Sequence, residues 1–193
     1  MSDGKTLTLS NGVKIPAVGF GTFSSEGSKG EAYAAVLHAL RTGYRHLDCA
    51  WFYLNEDEIG DAIRDFLKEN PSVKRSDLFI TTKVWNNLHE HDEVKWSLEN
   101  SLKMLQLDYV DLFLIHWPIA CESTEDKMPK IGPDGKVSTR RAPLFPSPLF
   151  CFSSPTAPGS PGSLRLSPAR GSPKPPAWRG TLAYHRRGRR GRG

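Results

Sequence analysis

His46-Leu47-Asp48-Cys49-Ala50-Trp51-Phe52-Tyr53-Leu54-Asn55-Glu56-Asp57-Glu58 is the stretch on which the reading of the fold turns. Tyr44 to Asp48 is a short strand, Cys49 to Leu54 a loop, and Asn55 opens a helix that runs to about Asn70. Asn55 with Glu58 three positions later has the form of a capping box. An aspartate at the strand end and a tyrosine five residues later therefore face the mouth of a strand-loop-helix unit. In parallel α/β sheets and barrels that mouth is where ligands bind.

Upstream, Thr6 to Ser10 and Val13 to Ile15 alternate about Asn11-Gly12, which predicts a hairpin over 6–15 closed by a type I′ turn. Ala17 to Gly21 is a short apolar run whose glycines would let a ligand approach the backbone. From Ser28 to Thr42, Ala32, Ala35, Val36, Ala39 and Leu40 recur at helical spacing, and Gly43 supplies a left-handed stop. Downstream, Ile59, Ile63, Phe66 and Leu67 make the buried face of the second helix. Leu78 to Lys83 is the third strand, and Asp92 to Gln106 a helix with Val94, Leu98, Leu102 and Leu105 inward. Tyr109 to Ile115 is a fourth strand, apolar enough to be buried on both faces. Strict alternation of strand and helix means a parallel sheet with helical crossovers.

The composition changes abruptly along the chain. Residues 1–142 hold 17 Lys+Arg and all 21 Asp+Glu, a net of −4, whereas 143–193 hold 9 Lys+Arg and no acid. The second stretch also carries 10 of the 15 prolines and 7 of the 17 glycines, a composition typical of low-complexity sequence. The expected organisation is a folded part over 1–137 and a disordered Pro/Ser/Gly/Arg-rich tail over 138–193. Arg186 to Arg192 alternates arginine with glycine in the manner of nucleic-acid-binding segments, although such a tail also has the composition of a translated intron or a shifted frame. Cys49, Cys121 and Cys151 lack C-x-x-C spacing, no run is apolar enough for a membrane span, and a reducing, cytoplasmic setting is the plain expectation.

Three strands end in groups suited to proton chemistry: Asp48, Lys83 and His116, with Tyr53 in the loop beside the first. An ammonium beside a phenol favours the phenolate, a carboxylate fixes the ammonium, and a histidine can orient a carbonyl oxygen.

At these residues the sequence resembles the aldo-keto reductases, (β/α)₈-barrel carbonyl reductases that use NADPH. The matching stretches are Gly19 to Thr22, Tyr44 to Ala50, Asn55 to Gly60, Phe79 to Trp85 and Leu105 to Pro118. The resemblance implies Tyr53 as general acid, Lys83 as its partner, Asp48 as counter-ion to the lysine and His116 as the group that orients substrate. It further implies Gly21, Thr22 and Asp48 near the nicotinamide, with Phe23, Trp85, His116 and Trp117 around a small carbonyl substrate. The cofactor-binding motifs of the family's later half, among them the cationic grip on the 2′-phosphate, do not stand in this sequence. The fold expected is thus a truncated barrel, a hairpin plus about four βα strands. Beside the NADPH-dependent reductase stands a second reading, a catalytically inactive fragment acting through a partner or nucleic acid.

Overall fold

The computed structural model describes residues 4–24 and 30–140 together with the strand Leu164–Arg165. Ser138 to Arg140, expected as the start of the tail, are ordered against residues 120–130 through backbone hydrogen bonds and a bridge to Cys121, whereas 141–193, with the arginine-glycine segment and Cys151, lie outside the described residues apart from that strand.

β1 (Thr6–Thr8) and β2 (Lys14–Pro16) form the anticipated antiparallel hairpin. Its turn differs from the type I′ expectation. Gly12 N–H donates to Leu9 O at 2.9 Å and Leu9 N–H to Val13 O at 2.8 Å, so the loop has three residues, Ser10 to Gly12. Only its last residue is left-handed, Gly12 at φ 83°, as in a turn followed by a glycine bulge. Asn11 uses its side chain instead, accepting from Val13 N–H.

The main sheet orders four parallel strands as β3 (Phe20–Gly21), β4 (His46–Asp48), β5 (Phe79–Val84) and β7 (Leu112–Ile115). The crossovers are α1 (Glu31–Arg41), α2 (Glu56–Glu69) and α3 (His91–Leu105). Their apolar stripes pack against one face of the sheet. Val36, Leu37 and Leu40 meet Leu47, Ile59, Ile63, Phe66, Ile80, Leu98, Leu102 and Leu105 in one core, with α2 between its neighbours. Leu37 takes an inward place in α1 and Ala35 lies exposed, one step round from the expected stripe. Gly43, at φ 104°, ends α1 as anticipated.

The expected fourth strand is broken in two. β6 (Tyr109–Val110) and β7 are separated by Asp111, whose carboxylate accepts from Ile80 N–H at 2.8 Å and pairs with Arg75 at 2.9 Å. A carboxylate that takes the place of a ladder acceptor interrupts the strand, and Arg75 keeps its charge compensated. Nor is β7 buried on both faces, since Leu114 and Ile115 are about 40% exposed. β6 pairs antiparallel with β8 (Leu164–Arg165).

Residues 119–140, which follow β7, carry three isolated antiparallel bridges, Cys121 to Thr139, Ser123 to Pro129 and Ile131 to Val137, which fold them back on themselves. Arg140 ties the end of this segment to Glu90, and Cys121 N–H donates to Asn86 O. Among the described residues no helix is long and apolar enough to cross a membrane.

Candidate active site

Parallel pairing sets the layers of the site. Gly21 lies in register with Asp48, Asp48 with Thr81 and Thr81 with Leu112, while Lys83, two positions on, pairs with Leu114. Asp48, Thr81 and Lys83 thus share one face of the sheet at its C-terminal rim, because side chains two apart on a strand point the same way. The other face of β5 presents Ile80, Thr82 and Val84 to the helices.

Lys83 is the centre of the arrangement. Its Nζ lies 2.8 Å from Asp48 Oδ1, donates to Cys49 O at 2.8 Å and reaches Tyr53 Oη at 3.4 Å. Its side chain is 12% exposed and that of Asp48 is 42% exposed, so water screens the acidic side of the pair. Tyr53 is carried into place by a single 3₁₀ turn, Trp51–Tyr53, closed by Leu54 in a left-handed conformation. Its ring meets Phe23 edge-on at 5.2 Å and His116 at 5.5 Å.

His116 follows β7, held by its N–H on Val84 O. Trp85 lies edge-on to it at 4.7 Å, Trp117 stacks at 6.2 Å, and Phe52 lies flat on Trp85 at 3.7 Å. Burial, and then the Lys83 charge, lower the pKa of His116, which keeps the imidazole neutral near pH 7. Asp48, Tyr53, Lys83 and His116 are therefore brought together, and Phe23, Trp85 and Trp117 line the same mouth.

Gly21 and Thr22 border this group. A Cβ at Gly21 would meet nothing within 4 Å. Thr22 is buried, and both its N–H and its hydroxyl donate to Asp48 O, at 3.2 and 3.0 Å. Cys49 and Cys121 are free and buried, and burial pushes the Cys49 thiol far up, so it takes no part as a thiolate.

The capping box over Asn55 to Glu58 does not form. Asn55 makes no side-chain cap; its Nδ2 donates to Thr22 O at 2.9 Å. Glu58 caps α1 instead, accepting from Gly30 N–H at 2.9 Å and Tyr33 N–H at 3.3 Å. Glu56 is buried and accepts from the Thr82 hydroxyl at 2.6 Å on the side of the sheet away from the site. The sequence reading missed three contributors: the Cys49 carbonyl, the Asn55 tether and the Phe52 ring behind Trp85. A carbonyl has no side-chain signature, and Asn55 looked like an ordinary cap. Phe52 was legible only as the apolar residue before Tyr53.

The family model described as the aldo/keto reductase family matches residues 17–132. A glycerol 2-dehydrogenase (NADP(+)) of Hypocrea jecorina is 66% identical over 138 residues, which cover 72% of this chain and 43% of that protein. A D/L-glyceraldehyde reductase of the same organism is 48% identical over 67% of this chain and 39% of its own length. Among solved structures, the aldose reductase of Schistosoma japonicum superposes with a TM-score of 0.66 at 41% identity, covering 72% of this chain and 45% of that one. The chain thus spans less than half the length of these relatives.

Proposed function

Because this chain belongs to the aldo/keto reductase family, we propose that it is an NADPH-dependent oxidoreductase that reduces small aldehydes or ketones to alcohols, with Tyr53 as the proton donor. One observation carries the reading: Lys83 Nζ stands 2.8 Å from Asp48 and 3.4 Å from Tyr53 Oη at the C-terminal rim of a parallel sheet.

The residues present fit the nicotinamide end of a dinucleotide. Gly21 and Asp48 are adjacent on paired strands, and the space beside Gly21 is open where a Cβ would stand. Gly21, Thr22 and Asp48 would hold that end of the cofactor. NADPH, when bound, supplies the hydride for the carbonyl carbon. Tyr53 gives its proton to the carbonyl oxygen, a step typically worth ~10²–10⁴-fold when the donor is well placed. The charge left on Tyr53 Oη faces the Lys83 ammonium, which Asp48 and the Cys49 carbonyl keep aimed. Neutral His116 can form one hydrogen bond to the same oxygen and orient it without competing for the proton. Phe23, Trp85 and Trp117 supply an apolar wall. A cytoplasmic location belongs to the same proposal, as the free, buried Cys49 and Cys121 suit a reducing compartment.

The names of the two Hypocrea jecorina relatives support short polyol aldehydes such as glyceraldehyde as the first substrates to try. The test is a titration of NADPH fluorescence with the full chain, followed by NADPH oxidation with glyceraldehyde. Saturable binding with turnover above the protein-free rate is expected; no binding at millimolar protein sinks the proposal. The alternative, a non-catalytic chain that binds a partner or nucleic acid, draws on the 43% coverage of its relative. It calls for salt-sensitive RNA binding that vanishes when residues 179–193 are deleted.

A further inference from the structure

The first turn of α2 does more for its neighbours than for itself. Asn55 occupies the N-cap yet forms no side-chain cap hydrogen bond, and its Nδ2 donates to Thr22 O. Only the NH₂ end of an amide can satisfy a carbonyl, so the orientation of the side chain follows from its partner. Thr22 is then held by all three of its polar groups. Its N–H and hydroxyl go to Asp48 O and its carbonyl to Asn55. One helical turn later, Glu58 holds the far end of the same connection at Gly30 and Tyr33.

The residue next to Thr22 is Phe23, 66% exposed, with its ring edge-on to Tyr53 at 5.2 Å. An aromatic side chain so exposed gains little from burial, so the backbone that carries it must fix its place. That backbone is fixed at Thr22. We propose that Asn55 is a positioning residue for the reduction: through Thr22 it holds Phe23 against Tyr53 and sets the width of the substrate mouth. The role rests on the reductase reading above. It acts on substrate binding and leaves proton transfer from Tyr53 untouched, because Asn55 touches neither Tyr53 nor Lys83 by any hydrogen bond the structure shows.

Asn55→Asp tests this in the full chain. Aspartate matches asparagine in size and serves equally well at an N-cap, so the fold is kept. A carboxylate oxygen facing the Thr22 carbonyl cannot donate, so the tether is lost. The ring-to-ring nuclear Overhauser effect between Phe23 and Tyr53 should disappear, with the thermal midpoint lowered only by the few degrees that one lost hydrogen bond brings. With glyceraldehyde, KM should rise by about 2- to 10-fold, the span of one net hydrogen bond, while kcat and its pH profile stay as they were. Asn55→Ser, too short to reach Thr22 but able to cap, should behave alike and guards against a misfolded aspartate variant. Persistence of the Phe23–Tyr53 effect in either folded variant overturns the proposal. If the unmodified chain binds NADPH but turns nothing over, the reductase reading falls, and the ring contact still decides what Asn55 does.

Discussion

Gly60 sits in the middle of α2, where alanine would ordinarily be the better residue by roughly 0.5–1 kcal/mol. Here the expected sign is reversed. A Cβ built on Gly60 falls 2.7 Å from both the carbonyl carbon and oxygen of Leu105 and 2.8 Å from Met104 O. These are backbone atoms at the end of α3, where Gln106 turns left-handed at φ 57° and donates back to Leu102 O, so no flexible side chain can yield. Ordinary contact begins near 3.4 Å, so the helices must part by more than half an ångström, and a gap of roughly 0.5–1 Å forfeits about a quarter to a half of each dispersion contact along the seam. The seam is made of Ile59, Ile63, Leu102 and Leu105, all buried. Overpacking of this kind costs ~1–3 kcal/mol. After the gain in helix propensity, Gly60→Ala should destabilise by about 1–2 kcal/mol, which lowers the thermal midpoint by roughly 4–8 °C. Urea unfolding followed by far-UV circular dichroism, compared at equal m-value, measures it. A variant stabilised by about the propensity term alone would refute the close approach of α2 and α3.

Three further outcomes follow from the site and its surroundings. Tyr53→Phe keeps the ring between Phe23 and His116 but removes the acid, so steady-state NADPH oxidation should fall by ~10² or more with cofactor affinity unchanged; equal turnover would make Tyr53 a packing residue. Burial raises the Glu56 carboxyl against the pull of the Thr82 hydroxyl, so the stability it contributes is present below the unfolded value near 4.5 and is lost as pH rises through the raised folded value. Glu56→Gln should therefore gain on the parent as urea midpoints are compared from pH 5 to 8, and a constant difference would contradict the assignment. His116 should titrate below 6.5 by NMR, and in Lys83→Met its midpoint should move upward once the neighbouring charge is gone; an unmoved midpoint would leave burial as the only cause.

The helices and the order of the sheet were legible because apolar spacing at 3.6 residues and the alternation of strand with helix do not depend on distant partners. Ile59, Ile63 and Phe66 lie inward as the periodicity required, and the strand ends converge because parallel strands share a rim. Two of the failures share one physical cause, a polar side chain whose partner lies far along the chain. Asn55 reads as a cap from local sequence, but Thr22, 33 positions earlier, takes its amide. Asp111 reads as an interruption tolerable within a strand, but Ile80 N–H and Arg75, over 30 positions away, draw its carboxylate into the ladder and split β6 from β7. The hairpin is a subtler case: Asn-Gly marks the turn, but which residues face each other is decided by the pairing of Thr8 with Lys14, which brings Ser10 into the loop.

Two adjacent residues of β5 show how one strand can serve two electrostatic tasks. Thr82 points toward the helices and meets Glu56, a carboxylic acid whose burial favours the neutral form. Lys83 points the other way and meets Asp48, a carboxylate left 42% exposed. Had the lysine's counter-ion been the buried acid, the pair would have carried the full desolvation cost of two charges, and removal of either would have stranded the other. With the anion at the rim, water offsets much of that cost while the 2.8 Å contact still fixes the ammonium. The pleat keeps the buried acid on the opposite face, so among the described residues the carboxylate paired with Lys83 is that of Asp48, and the side of the ammonium left free by Asp48 and the Cys49 carbonyl faces Tyr53 Oη at 3.4 Å. That free side is what the proposed proton transfer needs, because the charge that develops on the phenol oxygen then meets a cation already in place.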